Sequence, residues 1–253
     1  CWALAATSAL EASLLPKTHV IFSADHMALK NAFSVSLNDG GDYRMAMAYL
    51  AGWQGPVSEE ADAYGDAYSP DGLLPAVHVQ EMRLYEDAPR EKLKKAIRTY
   101  GAVQTSLYMS RATTAEDQPY YNAYFSAYEY PTAEEPSHDV ILVGWDDTIS
   151  RFLFRDVPEE DGAWVCQNSW GSSFGDDGLF YVSYADATIA GQAIAYTRME
   201  PTDNYDRIYQ TDPCGWQGSL GYGKEICWFA NRYEAEEAEF LAAVGFYATG
   251  GDT

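Results

Sequence analysis

Residues 1–11 read Cys-Trp-Ala-Leu-Ala-Ala-Thr-Ser-Ala-Leu-Glu, and this stretch decides the fold. From Cys1 to about Leu15 the side chains are apolar on nearly every side, a pattern that predicts a buried helix with Cys1 at its N-terminal end. A thiol at that position lies near the free backbone N–H groups of the first turn, whose partial positive charge favours the thiolate. Cys1 is therefore a candidate nucleophile.

Two later blocks supply partners for that thiol. Residues 137–146 read Ser-His-Asp-Val-Ile-Leu-Val-Gly-Trp-Asp, and residues 168–171 read Asn-Ser-Trp-Gly. His138 can pair with the thiolate as an imidazolium, donate its proton to a leaving amine and then activate water. Asn168 can accept a hydrogen bond from the other ring N–H, and Trp170 can shield that bond from water. A lone cysteine or histidine is more often a packed core residue, but the order Cys, His, Asn in these contexts indicates acyl transfer.

Turn and capping residues divide the rest of the first 200 residues into helices followed by strands. Ser23 or Asp25 can cap a second helix and Asp42 a third, while Pro89 and Gly101 suit the start and end of a fourth. Strands are predicted at 103–109, 140–143, 152–157, 164–168, 179–184 and 192–199. Helices that precede strands favour an α+β fold with two halves, and the cleft between such halves is the natural place for a site.

The sequence changes character after Glu200. Short β-prone runs separated by Gly and Asp include residues 228–231 and 241–247, and they predict part of a β-sandwich. We therefore expect one domain over residues 1–200 and the truncated start of a second, β-rich domain over residues 201–253. Because a strand-like run comes just before the final residues, we expect further strands to follow in a longer parent protein.

Several motifs, in order, resemble those of the papain family of cysteine peptidases over about residues 1–200. The opening Cys-Trp-Ala matches the nucleophile helix of the family, and residues 22–27 (Phe-Ser-Ala-Asp-His-Met) match its Leu-Ser-Glu-Gln helix start. Gly40 and Gly41 match its glycine pair, residues 55–60 resemble its Gly-Ile/Val-x-x-Glu segment, and the histidine and asparagine blocks complete the resemblance. It implies a papain-like two-lobed fold, with a helical lobe and an antiparallel β lobe. It also implies an endopeptidase that acts on protein or peptide substrates with no metal and no cofactor.

The resemblance also implies roles for residues of this sequence. The catalytic roles fall to Cys1 as nucleophile, His138 as acid and base, and Asn168 as the residue that orients the imidazole, with Trp170 as their shield. The substrate-binding residues that it implies are Gly40, Gly41, Asp42, Tyr43 and Ser137. The carboxylate of Asp42 predicts a preference for a positively charged substrate side chain at the subsite next to the scissile residue.

Two features depart from the family pattern. A glutamine a few residues before the family's nucleophile donates one of two oxyanion hydrogen bonds, and no such residue precedes Cys1 in this sequence. Loss of one oxyanion donor typically costs a factor on the order of 10²–10³ in rate. We therefore expect the chain to be a fragment or processed product of a longer precursor, and to be weakly active or inactive by itself. Asp139 stands where the family has a small residue, and its carboxylate either raises the pKa of His138 or points to solvent.

The net charge of the chain limits the kinds of partner that it can bind. The 253-residue chain holds 16 Lys and Arg against 38 Asp and Glu, which gives a formal net charge of −22. Such a chain repels nucleic acid and anionic membrane surfaces, and no apolar stretch approaches membrane-spanning length. These features predict no nucleic-acid partner and no membrane span, and the acidic surface is expected to aid solubility outside the cell. The secreted or cell-surface location, taken as bacterial, is what the family resemblance implies.

The cysteines and the other histidines predict neither a stapled scaffold nor a metal site. Cys214 and Cys227 flank a glycine-rich stretch, so they either approach each other as a disulfide or remain free thiols. Cys166 is expected to be a small buried apolar side chain. The histidines that lack the spacing and partners of zinc ligands are His19, His26 and His78, and no metal is predicted.

The tail from about residue 205 to 247 resembles a β-rich, lectin-like domain found after the peptidase domain in some bacterial surface and secreted proteins. The motifs behind this resemblance are Tyr-Asp-Arg-Ile-Tyr-Gln at 205–210, Gly-Trp at 215–216 and Trp-Phe-Ala-Asn at 228–231. Aromatic side chains here can stack on sugar rings or pack inside a sandwich. The leading function is therefore a cysteine endopeptidase. The alternative is a catalytically weak or inactive papain-like surface protein that contacts glycans or cell wall through its tail.

Overall fold

The computed structural model of the protein describes residues 1–110 and 119–248, and four α helices lie in this part of the chain. They are α1 (Trp2–Leu14), α2 (Ala24–Leu29), α3 (Tyr43–Ala51) and α4 (Arg90–Tyr100). The predicted caps are confirmed. Ser23 Oγ accepts a hydrogen bond from the His26 N–H, and an Asp42 carboxylate oxygen accepts one from the Arg44 N–H. Gly101 ends α4 with a φ of 89°, a left-handed conformation that glycine adopts without strain.

Eight strands in the described residues form one mixed sheet. They are β1 (His78–Glu86), β2 (Val103–Leu107), β3 (Tyr121–Asn122), β4 (Ala127–Tyr128), β5 (His138–Asp146), β6 (Ala163–Gln167), β7 (Leu179–Ser183) and β8 (Gln192–Glu200). Their order across the sheet is β1-β8-β2-β5-β6-β7-β4-β3. Neighbouring strands are antiparallel except for the two-residue pairing of β4 with β7. The α+β prediction, helices first and strands second, is confirmed.

The sheet differs from the sequence prediction at two places. The strand predicted at 152–157 is wrong, because residues 151–153 form a short 3₁₀ helix in which Phe152 is 68% exposed. Ser150 caps this turn through its hydroxyl, and Arg151 donates to the Glu159 carbonyl at 2.7 Å, so local hydrogen bonds replace strand pairing. Strand β1 was not predicted, and it pairs with β8 along almost its whole length.

Helix α1 runs between the two lobes. In the helical lobe it packs with α2 and α3 around Leu10, Met27 and Tyr49, which are fully buried. Its other side packs against β2, β5 and β8, and Ile141 and Tyr196 from the sheet join the same core. The many alanines of α1 allow this close approach on all sides. A second core fills the β lobe beneath α4.

The structure of the segment after β8 differs from the sequence prediction. Residues 201–248 contain no helix and no strand, so the predicted sandwich strands are not formed in this structure. The start of the segment packs on the helical lobe, where the Tyr205 ring is stacked 6.2 Å from that of Trp53. Farther on, Trp228 and Phe229 are 85% and 96% exposed, since no second sheet covers them among the described residues. Residues 249–253 of the predicted second domain lie outside the described residues.

Candidate active site

Cys1 lies at the N-terminal end of the buried helix α1. It occupies the N-cap position, and its carbonyl accepts the first helical hydrogen bond, from the Ala5 N–H at 2.8 Å. The thiol makes no capping hydrogen bond, and Cys1 is exposed, whereas the next residue, Trp2, is only 5% exposed. The sequence therefore places a solvent-accessible thiol on a rigid, buried helix, with the positive end of the helix dipole beside it.

His138 and Asn168 are brought together by two neighbouring antiparallel strands. His138 is the first residue of β5, and Asn168 follows directly after β6. His138 Nε2 and Asn168 Oδ1 lie 2.8 Å apart, and the same oxygen accepts the Ser169 N–H at 2.8 Å. Burial lowers the pKa of His138, while the hydrogen bond with Asn168 raises it. Helix α1, which carries Cys1, packs against β5, which begins at His138.

Trp170 packs against the ring of His138. The two rings have centroids 5.1 Å apart at an interplanar angle of 41°. The buried ring of Phe174 packs against the Trp170 indole in an edge-to-face arrangement, with the two ring centroids 5.0 Å apart. Trp170 itself is 39% exposed, so its outer face meets solvent while its inner face covers the imidazole. This arrangement limits the access of water to the hydrogen bond between His138 and Asn168.

The glycine pair lies directly against the helix that carries Cys1. A Cβ added at Gly41 would meet Trp2 Nε1 at 2.5 Å and Met45 Sδ at 2.7 Å, so only glycine fits there without a shift of its neighbours. Gly40 has a φ of 78° and faces open space. Both glycines are exposed, so their backbone is open to solvent.

The other three predicted substrate-binding residues are held by contacts within the protein. Asp42 caps α3 and forms an ion pair with Arg44, so its charge is already balanced, which weakens the expectation that it selects a cationic side chain. Tyr43 is buried, and this burial raises its pKa. Ser137 is exposed beside β5, where its hydroxyl donates to the Met109 carbonyl at 2.9 Å.

Asp139 differs from the sequence expectation. Its side chain does not point to solvent, because the residue is only 6% exposed. Successive side chains of a strand point to opposite faces of the sheet, so Asp139 and His138 lie on opposite faces. Its two carboxylate oxygens accept hydrogen bonds from Ser106 Oγ at 2.7 Å and Gln104 Nε2 at 2.8 Å. Alternation within β5 was the signal that predicts this direction.

No group of three His, Cys, Asp or Glu side chains with metal-binding geometry occurs in residues 1–110 and 119–248. His26 Nδ1 is instead 2.6 Å from the Tyr49 hydroxyl, and His78 Nδ1 is 2.7 Å from Asn204 Oδ1. All four cysteines are free in the structure, so of the two alternatives for Cys214 and Cys227 it shows free thiols. Cys166 is fully buried, as predicted.

Comparison with known proteins connects this arrangement to a family. The family described as papain family cysteine protease matches residues 1–197. The chain belongs to this family. A lectin like domain matches residues 208–253, beyond the papain-family region.

Relatives of this papain-family chain include two insect proteins. Cathepsin L of Sarcophaga peregrina is 26% identical over 209 residues, which cover 77% of this chain and 56% of the relative. A cathepsin L-like peptidase of Aedes aegypti is 28% identical over 193 residues, which cover 73% of this chain and 52% of the relative. The chain therefore spans about half the length of the curated relatives it matches.

Solved structures confirm the papain-like fold. The cysteine protease and lectin-like domains of Cwp84, a surface layer associated protein of Clostridium difficile, match with a TM-score of 0.70 and 25% identity, over 80% of this chain and 47% of that one. Clostridial Cwp84 after propeptide cleavage matches with a TM-score of 0.73 and 26% identity, over 83% of this chain and 55% of that one. No helix in the described residues is long and apolar enough to cross a membrane.

Proposed function

We propose that this papain-family protein is a cysteine endopeptidase that hydrolyses peptide bonds through Cys1, His138 and Asn168. The observation that carries the proposal is the 2.8 Å hydrogen bond between His138 and Asn168, which Trp170 covers, on a strand that packs against the helix of Cys1. An exposed thiol at a helix start, an imidazole and an amide that orients it are the groups that cysteine-dependent acyl transfer requires.

The proposed reaction begins with a proton transfer that forms a thiolate–imidazolium ion pair. The thiol proton of Cys1 passes to His138, and the thiolate attacks the carbonyl carbon of the scissile peptide bond. The imidazolium then returns its proton to the leaving amine, which departs and leaves a thioester on Cys1. His138 next takes a proton from water, and the resulting hydroxide attacks the acyl carbon, so that the carbon–sulfur bond breaks and the acyl group leaves as a carboxylic acid. The thiolate that is released takes the proton back from the imidazolium. Throughout, Asn168 accepts the N–H of Nε2 and keeps Nδ1 free for these transfers.

The substrate is proposed to lie extended along the Gly40–Gly41 backbone. Gly41 is held against Trp2, and Trp2 directly follows the proposed nucleophile. Backbone hydrogen bonds with the two glycines would therefore fix the position of the peptide relative to Cys1. We propose that Ser137, which precedes β5, and Tyr43 of α3 line the same substrate cleft. Because Asp42 is paired with Arg44, we propose that any preference for cationic side chains depends on displacing that ion pair.

Peptide cleavage by Cys1→Ala tests the proposed function. The variant of the full-length protein is expected to lose at least about 10³-fold in kcat/KM on an unfolded protein substrate, because no other thiol can replace the nucleophile. Cys227→Ala is the matched control, since it removes an exposed free thiol outside the site. Stoichiometric labelling of Cys1 by a thiol-directed epoxide, lost in His138→Ala, is the second expected result. Undiminished cleavage by Cys1→Ala would refute the proposal.

Glycan binding is the second candidate function, and the lectin-like match over residues 208–253 supports it. Trp228 and Tyr222 are 85% and 75% exposed and offer aromatic faces to a sugar ring. We propose a second domain over residues 201–253 that contacts glycans or cell wall at a bacterial surface. Similarity to the surface layer associated protein Cwp84 supports this location. Binding of cell-wall polysaccharide together with no cleavage of any protein would favour this function over the peptidase.

A further inference from the structure

Asp139 belongs to a buried polar network that reaches the nucleophile helix. Gln104 Nε2 donates one hydrogen bond to the Asp139 carboxylate and a second, at 3.3 Å, to the carbonyl of Trp2 in the first turn of α1. On its other side, Gln104 Oε1 accepts the hydroxyl of Tyr196, a fully buried residue of β8, at 2.7 Å. The network therefore joins β5, β2, β8 and the first turn of α1 behind Cys1 and His138.

The carboxylate of this network lies one glutamine side chain away from Trp2, the residue that follows Cys1. Burial raises the pKa of Asp139, while the hydrogen bonds from Ser106 and Gln104 lower it. The other titratable groups that face the carboxylate are Tyr196 from β8 and Asp42 at the start of α3, and His138 precedes it on β5.

Burial of a carboxylate behind a cysteine nucleophile is costly. A buried ionised group with only two neutral hydrogen-bond donors loses more hydration than those bonds return. Its negative charge also disfavours a nearby thiolate and favours a nearby imidazolium. A small apolar residue would avoid both effects, so the carboxylate needs a role that such a residue would not fill.

We propose that Asp139 is a positioning residue for the peptidase reaction, an inference that rests on the proposed function. Through Gln104, its carboxylate holds the first turn of α1 against the start of β5, and so fixes Cys1 relative to His138. Its charge sets the pH range in which the thiolate–imidazolium pair forms. Asp139 touches no reacting atom in this role and acts through the position and protonation of its neighbours.

Two substitutions separate position from charge. Asp139→Asn keeps oxygen and nitrogen atoms that can bond Gln104 and Ser106 but removes the charge. The pKa values of thiol and imidazole both fall, so we expect both limbs of the kcat/KM profile to move down by about 0.5–1 pH unit with little loss at the optimum. Asp139→Ala breaks the connection to α1, and we expect about a tenfold fall in kcat with KM unchanged.

Alkylation of Cys1 provides a readout that needs no peptide cleavage. The rate of modification by iodoacetamide, followed on the Cys1 peptide by mass spectrometry, is measured against pH for the wild type and for Asp139→Asn. We expect the thiol titration of the variant to shift to lower pH by the same amount as its acid limb.

Asp186→Asn is the matched control, because Asp186 is also a buried carboxylate of the β lobe, and its hydrogen bonds go to residues 130, 188 and 189. It should lower the melting temperature without moving the pH profile. An unshifted pH profile and alkylation curve for Asp139→Asn would refute the role of the charge, and an unchanged kcat for Asp139→Ala would refute the positioning role, whatever the stability of either variant. A wild-type Cys1 that alkylates like an ordinary thiol would instead refute the proposed function, and the inference with it.

Discussion

Replacement of Asn168 by alanine tests the central hydrogen bond of the site. Asn168 Oδ1 is the acceptor for both the His138 ring N–H and the Ser169 N–H, each at 2.8 Å. The bond stabilises the protonated ring, so its loss lowers the pKa of His138 further, in the direction in which burial already shifts it. A hydrogen bond to a charged group contributes about 1.5–3 kcal/mol, which corresponds to about 1–2 pKa units.

We therefore expect the alkaline limb of the pH–rate profile of Asn168→Ala to move down by about 1–2 units, with kcat/KM at pH 7 reduced about 10–100-fold. The assay is hydrolysis of a fluorogenic peptide from pH 4 to 10, with NMR titration of His138 alongside. Asn168→Asp keeps the acceptor and adds a negative charge, so it should move the same limb upward. Gln167→Ala changes the exposed neighbouring residue and serves as control. An alkaline limb that stays in place in Asn168→Ala would refute the role assigned to this bond.

Three further substitutions have specific expected outcomes. Gly41→Ala places a Cβ 2.5 Å from Trp2 Nε1 and should lower kcat about tenfold or more by displacing the turn after the nucleophile, measured by peptide hydrolysis. Gly55→Ala places a Cβ 1.9 Å from the Tyr49 hydroxyl in the helical core and should destabilise the protein by about 3 kcal/mol in urea denaturation. Glu129 is buried and its pKa is raised to about 7, so the wild type loses stability as pH rises from about 4.5 to 7. Glu129→Gln should match the wild type at pH 4 and exceed it by about 3 kcal/mol at pH 8 in the same assay, and equal stability at pH 8 would contradict this reasoning.

Local hydrogen-bonding signals made much of the helical lobe predictable. Ser23 and Asp42 can satisfy free N–H groups at helix starts, and Gly101 can adopt the left-handed conformation that ends α4. The nucleophile helix was recognisable because alanine and leucine leave no polar face. These signals involve residues close in sequence, so no knowledge of the tertiary structure is needed to interpret them.

Features that depend on distant partners were not predictable in the same way. Strand β1 carries charged residues such as Arg83, and only its pairing with β8 makes it a strand. Phe152 lies in a β-prone run but forms a capped turn instead, since Ser150 supplies a nearer acceptor. The direction of Asp139 follows from strand alternation, but its burial depends on Gln104 and Ser106 from another strand.

The central position of α1 has a consequence for the proposed peptidase activity. Cys1 is carried by a helix that packs on both lobes, whereas His138 and Asn168 both belong to the β lobe. A slight sliding of one lobe along this helix would separate thiol from imidazole while every helix and strand remained intact. Inactivation by mild heat or denaturant should therefore precede the loss of circular dichroism, and cooling before that loss should restore the enzyme.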